Sequence, residues 1–481
     1  MSKAPAGGVK PSTTTDAGST TGKLGGRIDP PPATPGLLLA WKPDDVAAAE
    51  RARLDRPLLV GRSGDASWTV LDRKMSKEHF AVAPEGGTCV IRDLGSTNGT
   101  LVNGAPLGGA RPLADQDVVR AGRCLFVFNG DVARLGAEAA ASSTAMGLAG
   151  PFHSPFLVSE AAAAVRTGRH LVLEGESGTG KELLARAVHQ LGAAATPFVA
   201  HNCAGFASTE DAQTTLFGVV RGAFTGVEAR AGLLERADGG VLYLDEVHNL
   251  PLRVQRALLR FAEDGCFTRI GESAQRRANV RLVLGTNRPV EWAMAEGVLA
   301  DDLVARTHRL RVPPLRERRA DVPGIFRVAM ERACARCGAS AMGLSAVLGP
   351  DHHELLLLHD FTGTNVRAIE DLAATIAARA GGQPAAAAQR QVDGLFAERF
   401  AGSPVFARQR APGDAPALAP GSSYERHREQ IVAVFRECGG NLTATESALR
   451  ERGLALHRRW LSEFLERWGV RKRWSKRQPG G

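Results

Sequence analysis

Aromatic rings are scarce in this chain, and long apolar runs are missing altogether. Phe, Trp and Tyr make up 5% of the 481 residues, only two of them tyrosines. No apolar stretch approaches the ~18 residues that a membrane-spanning helix needs. The first residues lack the apolar core of a secretory signal, so the expected location is the cytoplasm. Cysteine is sparse as well. The seven are scattered and odd in number, which argues against a disulfide framework and fits a reducing compartment. Cys334 and Cys337 form a lone Cys-x-x-Cys within a helical pattern. With no second pair beside them, packed thiols are expected rather than zinc ligands.

What is present is apolar content of 44%, enough for real cores, over a length that suggests roughly three domains. The net charge of +9 is compatible with a polyanionic partner. Residues 1–36, rich in Ser, Thr, Pro and Gly, read as a disordered tail. Residues 37–130 carry short β-like runs separated by Gly, Asn and Asp turns: Pro57–Val60, Phe80–Ala83, Thr88–Arg92, Thr100–Val102, Val118–Arg120 and Leu125–Phe128. That spacing predicts a β-sandwich with its loops gathered at one end. After an Ala/Gly/Ser linker at 131–150, residues 151–312 alternate apolar strand-like runs with helical patterns, as a parallel α/β domain does. Residues 313–380 read as helices only, residues 381–423 as a second linker with at most one helix, and residues 424–481 as a helical unit ending in a basic tail.

The chemistry starts at Gly175–Glu182, Gly-Glu-Ser-Gly-Thr-Gly-Lys-Glu, between the apolar run 170–174 and a helical pattern from Leu183. Strand, glycine loop and helix together make a phosphate-binding loop. Gly175, Gly178 and Gly180 let the backbone curl around one point, with Glu176, Ser177 and Thr179 between them, and Lys181 adds a full charge. Glu182 stands where a Ser or Thr would ordinarily hold Mg²⁺. Downstream, the run Gly239–Leu244 ends in Asp245 and Glu246. Phosphoryl transfer needs one carboxylate to hold Mg²⁺ and another to polarise the attacking water. A second apolar run, Val280–Leu284, ends near Asn287, placed to sense a γ-phosphate.

Two further patterns carry resemblances. Gly61-Arg62, Ser76-Lys77-Glu78-His79 and Asp93–Thr100, followed by Val102-Asn103-Gly104, resemble the forkhead-associated (FHA) domain, which binds phosphothreonine. The resemblance implies that Arg62, Ser76, Lys77, Thr97 and Asn98 contact the phosphopeptide and that His79 braces their loop. A cation with hydroxyl and amide donors on rigid loops is what a dianionic phosphate requires. The loop Gly222-Ala223-Phe224-Thr225-Gly226-Val227 is similar to that of bacterial enhancer-binding proteins, the AAA+ activators of sigma-54 RNA polymerase. So are Gly175–Glu182, His201–Ala204, Leu216–Gly218, Pro313–Arg319 and Asn365-Val366-Arg367. This resemblance, over roughly residues 152–375, accounts for Glu182 as a family trait. It implies that Phe224 and Thr225 touch sigma-54, that Asn202 restrains the catalytic Glu246, that Asn287 is the first sensor, and that Arg367 is the second.

Three departures stand out. Val227 replaces an alanine, the segment before Asn365 is Phe361-Thr362-Gly363-Thr364, and the first trans-acting arginine is Ala300. Arg306 is left for that role, with Arg309 as its competitor. Residues 424–481 resemble the Fis-type helix-turn-helix of the same activators, with thirteen Lys/Arg against seven Asp/Glu. Arg458 and Arg459 on the third helix are candidates for base contacts, and Arg471, Lys472 and Arg473 for phosphate contacts.

The sequence therefore predicts three folded parts: an FHA sandwich, an AAA+ α/β ATPase with a helical lid, and an all-α helix-turn-helix. The expected protein is a sigma-54-dependent activator using ATP and Mg²⁺, oligomeric as a hexamer. Its expected partners are sigma-54 RNA polymerase, upstream promoter DNA, a Ser/Thr kinase, and a phosphothreonine segment on another protein or on its own tail. The alternative is a phosphopeptide-dependent DNA-binding regulator with impaired ATPase, motivated by Ala300.

Overall fold

The computed structural model describes residues 33–43, 50–133, 135, 147–224, 228–409, 428–452, 461, 465 and 468–470. Its first part is a sandwich of two sheets. One runs Arg51–Arg53, Gly36–Trp41, Cys124–Asn129, Val118–Ala121, Thr100–Val102, Ala105–Pro106. The other runs Trp68–Thr69, Leu58–Gly61, Phe80–Glu85, Thr88–Asp93, Arg111–Leu113. Between them Leu37, Val60, Phe80, Ile91, Val119 and Phe126 form the core. All six sequence-derived runs are strands. Gly36–Trp41, Arg51–Arg53 and Arg111–Leu113 were not among them.

The second part is a five-stranded parallel sheet in the order Phe198–Asn202, Val241–Asp245, Arg281–Thr286, His170–Glu174, Thr307–Arg311. Apolar side chains cover both faces. One is packed by the helices around Leu184, Val188 and Leu157, the other by Val254, Leu258 and Phe261. Period-2 alternation is therefore absent from these strands, as a sheet buried on both faces requires.

The third part is the helical lid, built from Val322–Cys337, Pro350–Leu358 and Val366–Ala380. Residues 381–409 belong to it, which corrects the expected linker at 381–423. They form two helices, Ala385–Arg399 and Pro404–Gln409. Ala388, Val392, Leu395, Phe396 and Val405 are buried in the lid's own core. The Ala-rich composition that suggested a linker is equally the best helix former, and the i, i+3, i+4 spacing of Val392, Leu395 and Phe396 supplies a packing face.

Sandwich and lid share one core. The strand Cys124–Asn129 is buried along its whole length. Phe126 and Phe128 point between the two sheets, whereas Leu125 and Val127, with Leu38 and Val118, join Phe326, Leu356 and Ile369 of the lid. Trp41 stacks on His353 with ring centroids 4.4 Å apart, and Phe326 meets the same imidazole edge-on. Arg120 reaches across to Asp351 and to Glu354 (2.7 Å). Gln116 accepts from the Arg319 amide at 3.0 Å.

His353 makes this seam pH-dependent. Complete burial pulls its pKa from 6.5 down to about 4, so the folded ring stays neutral where an unfolded one takes a proton. Its contribution is fully present above pH 6.5 and is lost progressively as pH falls towards about 4. The full loss is about 3 kcal/mol. Denaturant midpoints compared at pH 7 and pH 5 should show a drop that His353→Phe makes measurably smaller, the rest coming from other buried histidines such as His79 and His170.

Candidate active site and phosphopeptide loops

The helix Lys181–Ala193 follows the glycine loop directly, with Gly180 at its start in a left-handed conformation (φ +100°). Lys181 is buried and donates to the carbonyls of Gly175 (2.8 Å) and Glu176 (3.3 Å). Burial lowers its pKa, opposed by the charges of Asp245 and Glu246. Glu182 pairs with Arg186 on the exposed side of the helix, so it does not face the loop's interior.

The lid clamps this loop through groups to which the sequence assigned no role. Arg316 forks onto Glu176 at 2.5 and 2.9 Å and holds its carboxyl below the usual range. Arg318, fully buried, donates to the Thr179 carbonyl at 2.7 Å. Asn365 is wholly buried. It accepts from the Leu315 amide and donates to Glu176 and Ser177. Its backbone has φ +47° and ψ −125°, a conformation costly for a side-chain-bearing residue. Arg367 donates to the Ser177 hydroxyl at 3.0 Å, which places the expected second sensor on the loop. A Cβ at Gly178 would lie 2.1 Å from the Thr364 carbonyl, so the lid backbone approaches closer than any other residue allows. Arg316 and Arg318 lie within the quoted Pro313–Arg319 motif. That motif marks the segment but assigns neither arginine a partner.

Asp245 and Glu246 stand at the end of the strand Val241–Asp245. Glu246 has φ +53° and ψ +44°, left-handed for a non-glycine residue. Its amide donates to Asp245 Oδ1 (3.0 Å), and its Oε2 accepts from the Asn287 amide (3.3 Å). Burial first, then the Asp245 charge, raises the Glu246 pKa, which makes it a stronger base than a solvated carboxylate. The Asn287 Oδ1 is buried and makes no hydrogen bond among the described residues, a polar atom available to a ligand. Asp245 offers the hard oxygen that Mg²⁺ prefers, and a Cβ at Gly285 would crowd it at 2.6 Å. The residues present therefore fit a magnesium site. Asn202 aligns with Asp245 on the neighbouring strand, yet its Oδ1 caps the turn at the Ala204 amide (2.9 Å). Glu246 Oε2 itself is held by the Asn287 amide.

The two candidate trans arginines are resolved by their partners. Arg309 is locked within its own chain by Glu174 and Glu291, each at 2.8 Å. Arg306 is 63% exposed and pairs with Glu263 at 3.1 Å, so of the two its guanidinium is the more open to solvent. At Ala300 the amide donates to Gln255 Oε1 (2.9 Å) at the start of the helix Asp301–Ala305.

The Phe224 loop rises from a two-stranded ribbon, Gly218–Val219 paired with Arg230–Ala231. Ala223 packs over Gly271, and Phe224 is 43% exposed. Thr225, Gly226 and Val227 lie outside the described residues.

On the sandwich, three loops are stitched together. The Arg62 amide donates to the Ser76 carbonyl and the Ser63 amide to the Lys77 carbonyl. A Cβ at Gly61 would lie 1.9 Å from that Lys77 carbonyl. Ser76 Oγ accepts from the Thr97 amide (3.0 Å), and Asn98 donates to the Lys74 carbonyl (2.6 Å). His79, fully buried, accepts at Nδ1 from the Ser76 amide and meets the Gly99 carbonyl through Nε2. Arg62, Lys77, Thr97 and Asn98 remain exposed on these loops. The backbone ties at Arg62 and Lys77 leave those two cationic side chains open to an anion.

The C-terminal helices Arg428–Glu437 and Leu442–Glu451 pack through Ile431, Val434, Phe435 and Leu449 onto Leu461 and Leu465. Asn441 caps the second at the Ala444 amide (3.2 Å). Arg458, Arg459, Arg471, Lys472 and Arg473 lie outside the described residues. No helix among the described residues is long and apolar enough to cross a membrane.

Comparison with known proteins agrees with this geometry. The Sigma-54 interaction domain model matches residues 154–313, and the FHA domain model matches residues 58–122. The chain is 39% identical over 222 residues to the DNA-binding transcriptional regulator NtrC of Escherichia coli (strain K12), covering 45% of this chain and 46% of that one. It thus spans about half the length of the NtrC relatives it matches. It is 33% identical over 290 residues to the probable regulatory protein HrpR of Pseudomonas syringae pv. syringae, covering 60% of this chain and 87% of HrpR. Among solved structures, NtrX from Brucella abortus in complex with ADP matches at 27% identity with a TM-score of 0.46, covering 66% of this chain and 68% of NtrX. The chain belongs to the sigma-54 activator family and joins an FHA domain to that family's AAA+ sigma-54 interaction domain.

Proposed function

We propose that the chain hydrolyses ATP as an assembled ring, a hexamer, and drives the Phe224 loop against sigma-54 to open promoter complexes. The observation that carries this reading is the convergence of Lys181, Asp245 and Glu246 under the lid contacts of Arg316, Arg318, Asn365 and Arg367. The loop Gly175–Glu182 would cradle the phosphates with its amides, and Lys181 would exchange its carbonyl partners for phosphate oxygens. Asp245 would hold magnesium, which supplies charge neutralisation on the phosphates. Glu246 Oε2 is already engaged by Asn287, which leaves Oε1 to accept a proton from the attacking water. Arg306 of one subunit would complete the site of the next, while Arg367 reports the phosphate state to the lid.

Two further activities belong to this proposal. Arg62, Ser76, Lys77, Thr97 and Asn98 would read a phosphothreonine, written by a Ser/Thr kinase on a partner or on the tail. The C-terminal helices would hold upstream DNA, with the five basic residues named above as its contacts. The position of Ala300 favours a second reading, in which ATP binds without turnover and the chain acts only as a phosphopeptide-dependent DNA-binding regulator. Turnover that rises with protein concentration separates the first reading from the second.

The test is open-complex formation with sigma-54 polymerase, ATP and the full chain. Wild type should open the promoter, and Phe224→Ala should lose roughly 10²-fold or more in opening while retaining ATP turnover. A contact made only in the remodelling step would have that signature. Opening by Phe224→Ala at the wild-type level would overturn the reading.

A further inference from the structure

The imidazole of His248 sits in the first turn after the catalytic carboxylates, between Glu246 and the end of the neighbouring strand. Its Nδ1 lies 3.1 Å from the Thr286 hydroxyl and 3.7 Å from Glu246 Oε2. His248 and Glu246 are both largely shielded, with side-chain exposures of 12% and 14%. Thr286 is fully buried, accepts from the Arg288 amide (3.1 Å) and donates to the Arg288 carbonyl (3.2 Å). With its own proton directed to Arg288, the hydroxyl is left to accept, so the proton of a neutral imidazole belongs on Nδ1. The imidazole, anchored in this way on Thr286, packs at 3.7 Å against Glu246 Oε2, the oxygen that the Asn287 amide holds.

We infer that His248 is a positioning residue that fixes the Glu246 carboxylate against the Thr286-Asn287 corner. The Asn287 amide donates to one carboxylate oxygen, the anchored imidazole walls that oxygen in, and the other is left for water. The device suits its place. The Glu246 backbone is held in a left-handed conformation, a strained start for a side chain whose direction matters. Thr286 and Asn287 stand at the end of a different strand, so a shift of that corner would be passed to Glu246 through His248. This role rests on the ATPase reading above, because orientation of Glu246 matters only if Glu246 activates water.

The experiment is steady-state ATP hydrolysis by the full chain, with kcat and KM determined separately. His248→Ala should lower kcat roughly ten-fold, the scale of a misoriented general base, with KM for ATP changed by less than about two-fold. His248→Asn, whose side-chain amide can keep a donor on the Thr286 hydroxyl and so keep the side chain beside Glu246, should recover most of that loss. In a Glu246→Gln background, His248→Ala should lower the residual rate no further. An unchanged kcat in His248→Ala, an equal loss in His248→Asn, or an additive loss in the Glu246→Gln background would each overturn the assignment. Absence of turnover by wild type at every protein concentration would overturn both this role and the ATPase reading. Wild-type turnover with any of the other three results overturns the His248 role alone.

Discussion

Glu246→Gln should reduce ATP turnover by about 10²–10⁴, the range that a general base contributes, while nucleotide still binds. Glutamine keeps the shape of the side chain and can still accept the Asn287 amide, so the geometry of the strand end survives. What disappears is the proton acceptor. The protein should not become less stable through the change. A carboxyl whose folded pKa lies above its unfolded value carries a penalty once it ionises. Burial and the Asp245 charge place Glu246 in that class. At neutral pH the wild-type carboxylate therefore costs stability, and the neutral amide removes the cost. Equilibrium binding of a fluorescent ATP analogue, measured beside phosphate release, checks both halves. Wild-type-like turnover in the variant would exclude Glu246 as the base.

The parts of this site that lie close together in sequence were legible there. The glycine loop, Lys181 and the Asp245-Glu246 pair each occupy one strand end or one turn, and local chemistry dictates them. The clamp on that loop was not legible. Arg316, Arg318 and Asn365 come from 139 to 189 residues away, and a basic side chain in a helical stretch reads equally well as a solvated face. Asn202 shows the opposite limit. It stands beside Asp245, and its side-chain oxygen takes the turn amide two residues on, a local partner that spacing alone does not announce. Arg306 and Arg309 could be separated only by their carboxylate partners, which spacing cannot supply.

The seam between sandwich and lid left a trace in the sequence that pattern-reading passed over. A free sandwich has an outer face of polar residues alternating with its core. Here the run Cys124–Asn129, Cys-Leu-Phe-Val-Phe-Asn, is apolar on both faces, and Val118 and Leu38 extend the second face. A strand apolar on both sides needs two cores, and the second is the lid. The Ala-rich stretch after Ala380 was misjudged for the complementary reason: composition spoke for a linker, and the few large residues that anchor Ala385–Arg399 are spread over two turns.

Arg120→Ala should destabilise the protein by about 3–5 kcal/mol, the cost of breaking a buried ion pair from one side. Its guanidinium is only 15% exposed and bridges Asp351 and Glu354, the latter at 1% exposure. After truncation Glu354 would keep its burial and lose its guanidinium, so the cost is dominated by the carboxylate left in the seam. The Arg120–Glu354 pair itself is worth less than that, because desolvating these two charged groups opposes their attraction, while Asp351 stays partly exposed. Replacing Arg120 with Met and Glu354 with Leu together should recover most of the loss, since apolar groups of similar size suit a core that already holds Leu125, Val127 and Leu356. The location makes the result informative beyond stability. Because sandwich and lid share this core, calorimetry of the wild-type chain should show them melting in one transition. Arg120→Ala should lower that transition or split the sandwich from the lid. Two separate transitions in wild type, unaffected by Arg120→Ala, would mean that the sandwich rides on the lid without energetic coupling. One shared transition means that sandwich and lid unfold as one cooperative unit, so a ligand that stabilises the loops at Arg62 and Ser76 would also raise the melting of the lid.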